Sequence, residues 1–159
     1  MKKTIFIVFT LLSCVNFVYS QNKTIQGKVI DETLYPLIGI LIFNDSVCIG
    51  QTDFDGNFQI EVPSSVNRLT FSYIDMEDAD LELSDDCNVI ELIMIGVGHY
   101  DMSWNKAKRV RRKRYKELPK IHKEAYEKGI FQSPKPCYIQ ECDFQKFVKW
   151  DYKWHLYRK

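Results

Sequence analysis

Asp53-Phe54-Asp55-Gly56-Asn57 sets two alternating carboxylates and an amide around a glycine. Alternating carboxylates ahead of a glycine are what a calcium loop offers, but such a loop closes with a further bidentate acid to complete six or more oxygen ligands. Glu61 falls inside the next strand pattern, so these residues read as hairpin chemistry: Asp side chains accept from nearby amides and Gly56 takes positive φ. His99, His122 and His155 have no paired spacing, and His122 with Glu124 does not make the two-His, one-Glu helix motif of a zinc protease. Cys137, Cys142 and His155 match no closed zinc site. The chain shows no Gly-rich phosphate loop, nucleophile elbow or CxxC. Without a nucleophile, base and orienter, the expectation is a protein that is not an enzyme and needs no cofactor or metal.

The sharper signal is Lys108-Arg109-Val110-Arg111-Arg112-Lys113-Arg114, six basic residues in seven. Lys108, Arg109, Arg111, Arg112, Lys113 and Arg114 are therefore candidate anion- or partner-binding residues, against the plainer reading of a solvated helix face. In a cytosolic protein this run would suggest nucleic acid. The N-terminus points elsewhere: Met1-Lys2-Lys3, an apolar run from Thr4 to Val18, then Tyr19-Ser20 before Gln21 read as a secretory signal peptide over 1–20. Leu11-Leu12-Ser13-Cys14 also fits a lipoprotein signal that would lipidate Cys14, although the residues that follow stay apolar. Export leaves anionic lipid headgroups, acidic polysaccharide, an envelope protein or the chain's own acidic half as partners, with no nucleic acid expected.

Charge is segregated. Residues 21–100 carry fourteen Asp or Glu against three Lys or Arg, whereas 101–159 carry seven against seventeen, so a net charge of +1 hides halves of −11 and +10. Such asymmetry suggests two interaction surfaces or two segments that dock on each other. Screening weakens attraction between exposed charges beyond ~10 Å at 0.1 M salt, so docking also requires aromatic burial, from Trp104, Trp150 or Trp154. Once Cys14 leaves with the signal, Cys48, Cys87, Cys137 and Cys142 remain. An even number in an exported chain allows three disulfide pairings or four free thiols; Cys137 with Cys142 is the nearest local bridge.

The elements that must position these groups are mostly strands. Alternating or wholly apolar runs at 24–30, 40–43, 47–52, 57–62, 68–73, 79–83 and 88–95, separated by Gly, Pro, Asn and Asp, predict about seven short strands. Gly96-Val97-Gly98 reads as a hinge. Ser103 can cap a helix starting near Trp104, Pro119 suits the first turn of a second helix, and Gly129 its end. Val148, Trp150, Tyr152, Trp154 and Leu156 alternate with polar residues and favour an aromatic strand. The fold expected is mainly β: a seven-stranded sandwich over 21–98, then a basic helical and aromatic extension over 99–159.

The order of Gly27, Val29, Asp31, Pro36, Leu37, Gly39, Thr52, Asp53, Gly56, Phe58, Pro63, Leu69, Ser72 and Tyr73 resembles the carboxypeptidase regulatory-like domain, over about residues 24–95. That family supplies accessory modules of metallocarboxypeptidases and N-terminal extensions of TonB-dependent outer-membrane receptors. The resemblance implies a transthyretin-like sandwich and a non-catalytic module, periplasmic or outer-membrane associated in a Gram-negative envelope, with a scaffold or interaction role. Binding of an anionic surface through 108–114 is the alternative. Ile40 stands where a small residue is usual after Gly39, and Asp75 where a glycine commonly follows the Ser-Tyr pair.

Overall fold

The computed structural model describes residues 22–98 and 103–141. The elements run β1 (Asn22–Asp31), β2 (Leu41–Asn44), β3 (Val47–Gln51), β4 (Asn57–Pro63), β5 (Arg68–Ser72), β6 (Ala79–Leu83), β7 (Val89–Met94), α1 (Trp104–Glu127) and β8 (Tyr138–Glu141). The strands form a three-stranded sheet in the order β4-β1-β7 and a five-stranded sheet in the order β3-β2-β5-β6-β8. All neighbours are antiparallel except β1 and β7, which run parallel.

The sequence expectation of seven strands needs one addition. The eighth comes from beyond residue 98: Tyr138–Glu141 pairs with β6, so the five-stranded sheet is completed by the C-terminal segment.

The two sheets bury one face each against the other. Ile25, Val29, Phe58, Ile60, Val62, Ile90, Leu92 and Met94 of the smaller sheet share a core with Ile42, Leu69, Phe71, Ala79, Leu81 and Leu83 of the larger. Phe58 meets Phe71 edge to face across the layers at 5.4 Å. The alternation of β4 along Asn57–Pro63, buried at every second residue, is the period-two pattern of a strand with one face on a core. Ile40 is fully buried, so the bulkier residue that departs from the regulatory-like pattern fills core space. Asp75 keeps φ at 63°, the left-handed backbone that glycine supplies most cheaply and that Asp tolerates better than most residues.

Gly27 and Gly56 are fixed by close approach. A Cβ on Gly27 would lie 1.8 Å from the carbonyl oxygen of Ile90 on β7. Gly56, at φ 74°, would meet the Val29 carbonyl oxygen at 2.5 Å.

β7 is buried on both faces. Ile90, Leu92 and Met94 face the inter-sheet core, while Ile93 and Ile30 face a second cluster with Ala125 and Phe131, joined by Leu118, Ile121 and Ile130. The helix and the turn after it thus cover the outer face of the smaller sheet over β7 and the end of β1, while the outward residues of β4 stay exposed.

Of the one or two helices expected, the described residues form one, and the break at Pro119 does not occur. α1 continues through Pro119, although proline removes the amide that would bond the carbonyl of residue 115 and carries a cost of ~3 kcal/mol in a helix interior. Packed residues on both sides of the proline supply the continuity: Ala107 and Arg111 before it, His122 and Ala125 after it, all buried. Ser103 does occupy the N-cap, but its hydroxyl makes no capping bond; its carbonyl accepts from the amides of Lys106 and Ala107. At the other end Gly129, at φ 72°, donates to the Tyr126 carbonyl and Ile130 to the Ala125 carbonyl. That is the Schellman pattern, which turns the chain back toward the sheet.

Candidate interaction surfaces

The predicted basic segment divides by helical phase. Arg111 is buried; its Nε donates to Glu77 Oε2 at 2.7 Å, and Tyr115 Oη donates to the same oxygen at 2.9 Å. Arg114 forks onto Glu32, with Nε donating to Oε1 at 2.9 Å and Nη2 to Oε2, while Nη1 donates to the Gly96 carbonyl at 2.9 Å. Of the six candidate anion-binding residues, Arg111 and Arg114 are therefore committed to carboxylates of the sandwich. Arg109, Arg112 and Lys113 are exposed and Lys108 is half-buried.

A third carboxylate anchors the segment after the helix. Glu91, buried on the outer face of β7, accepts from the backbone amides of Gln132 and Ser133, the latter at 2.9 Å. Tyr138 on β8 donates its hydroxyl to the Glu91 carbonyl at 2.7 Å, and burial pushes its pKa well above the ordinary phenol value. His122 is buried against Phe131, with ring centroids 4.8 Å apart and Nε2 3.1 Å from the Ser133 carbonyl. Burial drives its pKa below the usual imidazole range, against the opposing pull of that carbonyl and of Glu91.

The acidic and basic halves thus meet through ion pairs, as the charge asymmetry suggested. The apolar part of the contact comes from Leu118, Ile121, Ala125 and Phe131; the side chains of Trp104, Trp150 and Trp154, from which aromatic burial was expected, lie outside what the structure describes.

The disulfide differs from the expected local bridge. Cys137 pairs with Cys87, across 50 residues and with Cα atoms 5.4 Å apart. The physical reason is β8: its register sets Tyr138 opposite Leu83, and Ser84 bonds the Cys137 carbonyl through its amide and its hydroxyl, which carries Cys137 to the turn holding Cys87. Cys142 lies outside the described residues, as do residues 1–20, where a signal peptide was expected, with Cys14, and His99, His155 and the run 148–156, where an aromatic strand was expected. Cys48 is an exposed free thiol.

The Asp53 loop behaves as a turn. Asp53 Oδ1 accepts from the amides of Asn57 at 2.8 Å and Asp55 at 2.9 Å, and the Asn57 amide contributes most to holding its carboxyl below the ordinary range. Among the described residues no group of His, Cys, Asp and Glu is arranged to hold a metal ion.

Two surfaces went unnoticed in the sequence. The first is the end of the sandwich where β1, β3, β5 and β7 finish. Its loops are contiguous: Gly56 abuts Pro36 and Leu37, the Tyr73 ring neighbours Gly39, and Met76 bridges to Gly96. Tyr35, Ile38, Leu41, Phe54, Tyr73, Ile74 and Val97, seven of the ten large exposed hydrophobic residues among the described residues, gather there, with Phe54 84% and Ile74 80% exposed. Asp53, Asp55, Asp75 and Asp78 are exposed among them. A cue was available in Phe54 and Ile74, apolar residues standing inside turn sequences. The second surface is a cleft of about 580 Å³ on the outer face of the smaller sheet, lined chiefly by polar side chains such as Gln26, Gln51, Asn57, Gln59 and Gln132.

No family profile matches the chain. It is similar to TonB-dependent receptor P3 of Formosa agariphila, with 29% identity over 97 residues; the match covers 60% of this chain and 10% of the receptor.

Proposed function

We propose that this chain is a non-catalytic, exported module of the cell envelope, built on a regulatory-like sandwich, that holds a partner protein at the loop end. The observation that carries the reading is the gathering of seven large exposed hydrophobic residues at that end. Exposed apolar surface is costly in water, and contiguous patches of it mark interaction sites. Four exposed aspartates among those residues favour a partner whose apolar pocket is rimmed by cations.

Similarity to an outer-membrane receptor, the regulatory-like motif and the signal-like N-terminus all support an envelope location, periplasmic or outer-membrane associated. The buried polar side chains also favour holding over chemistry. Thr52 bonds Ile40 and Leu37, Glu77 and Arg111 pair, Glu91 caps two amides and His122 faces a carbonyl, so each is engaged within the fold.

The test places a photo-crosslinking residue at Phe54 or Ile74, with Val47 at the opposite end as the comparison. One protein captured from native envelopes at the first two positions and not at Val47 supports the reading. Equal capture at all three, or none, refutes it.

A further inference from the structure

We infer that the outer face of α1 is a docking surface for an anionic lipid bilayer, through a cation stripe that the linear run 108–114 does not define. Lys106, Arg109, Lys113, Lys116, Lys120 and Lys123 are all exposed. Their spacings of three, four, three, four and three set them within roughly 100° of arc on a helix of 3.6 residues per turn. Ala107, Arg111, His122 and Ala125, which are buried, fall on the opposite side, so the stripe faces away from the sandwich. It extends over roughly 26 Å at 1.5 Å per residue.

Selective pairing leaves the charge at one end. Glu127 lies 3.6 Å from Lys123 and Glu124 lies 2.7 Å from Lys128, whereas over residues 104–116 the helix itself contains no acid; Glu117 lies 3.8 Å from Lys113, and Glu77 and Glu32 pair with Arg111 and Arg114 on the side toward the sandwich. The side chains are long and the face convex, so several headgroup phosphates in a plane can be met at once. A soluble polyanion would have to wrap the same ridge. The arc from Lys106 to Lys123 carries no large exposed hydrophobic residue, so attachment is electrostatic and reversible, without insertion.

The test is co-sedimentation of the purified chain with phosphatidylglycerol vesicles, phosphatidylcholine vesicles and, separately, competition by soluble polyphosphate. Binding to the anionic vesicles at low ionic strength, absence from the neutral ones and release by molar salt are expected. Each cation near an anionic surface contributes about fivefold in affinity, so K106Q/R109Q/K113Q/K116Q should weaken binding by roughly a hundredfold or more. Far-ultraviolet dichroism should be unchanged, and K23Q/K135Q, altered elsewhere, should bind within about twofold of the parent. Equal binding by the fourfold variant and the parent, no vesicle binding at low salt, or capture by polyphosphate in preference to vesicles would each overturn the assignment.

Discussion

The buried pair Arg111–Glu77 offers the most demanding test of how the extension is held. Their side chains are 9% and 5% exposed and meet at 2.7 Å, with Tyr115 sharing the acceptor oxygen, while Glu77 Oε1 is buried without a hydrogen-bond partner. Removing either partner of such a pair takes the counter-charge from the other in a poorly solvated site, at about 3–5 kcal/mol. Glu77→Ala should therefore cost ~3 kcal/mol or more, out of a total of about 5–15 kcal/mol for a typical domain. Replacing both partners by apolar residues, as Arg111→Met with Glu77→Leu, removes both buried charges and is expected to be near neutral. A double-mutant cycle by urea unfolding, built on Arg111→Met, Glu77→Leu and the two together, then gives a coupling energy of about 6 kcal/mol or more, the sum of the two single costs that the double variant recovers. Additive single and double costs, or a loss below about 1 kcal/mol for Glu77→Ala, would show that the pair is solvated and that the helix is held by other contacts.

Four further outcomes follow from the same geometry. Peptide mapping should join Cys87 to Cys137, and Cys87→Ala/Cys137→Ala should lower stability by about 4 kcal/mol from the closed 50-residue loop; a map linking Cys137 to Cys142 contradicts the fold. The fragment 21–98, lacking β8 and α1, should melt well below the mature chain, and an equal midpoint excludes a stabilising role for the extension. Because the folded state holds the His122 pKa below that of the unfolded chain, the unfolded state binds the extra proton as pH falls. Stability should be level above roughly pH 7 and decline below about pH 6.5, and His122→Gln should flatten that slope in urea titrations. Gly27→Ala, which drives a methyl to 1.8 Å from the Ile90 oxygen, should cost ~3 kcal/mol by forcing β1 from β7; a variant as stable as the parent refutes the tight parallel pairing.

Strands were legible in this sequence because their signal is local. Asn57–Pro63 and Arg68–Ser72 declare their buried faces by alternation, and the turns between them carry Gly, Asp and Pro. β8 was missed because Tyr-Ile-Gln-Glu is too short to show a period; its edge position comes from pairing with β6. The helix was split at Pro119 because local propensity knows nothing of the sheet beneath it. Glu91, an acid among apolar neighbours in Val89–Met94, was a visible anomaly, whereas Glu77 and Glu32 find their arginines 34 and 82 residues away. Reading 108–114 as one basic block missed that a helix turns successive residues to opposite sides. Arg111 and Arg114 lie toward the sandwich, and Lys106, Lys116 and Lys120, outside the block, share the outer stripe.

The bond between Cys87 and Cys137 makes α1 a strap fastened at two places: covalently beyond its C-terminal end, and by the continuous backbone through Gly96 at its start. A strap so fixed can lift from the sheet and settle again without ever diffusing away. Loss of its ion pairs at high salt would register as faster amide exchange along β7 and the helix, while the strand partners of the inter-sheet core kept their protection. Reduction would change the kind of event, turning a hinged excursion into a release that exposes Ile30 and Ile93 to solvent for as long as the chain stays open.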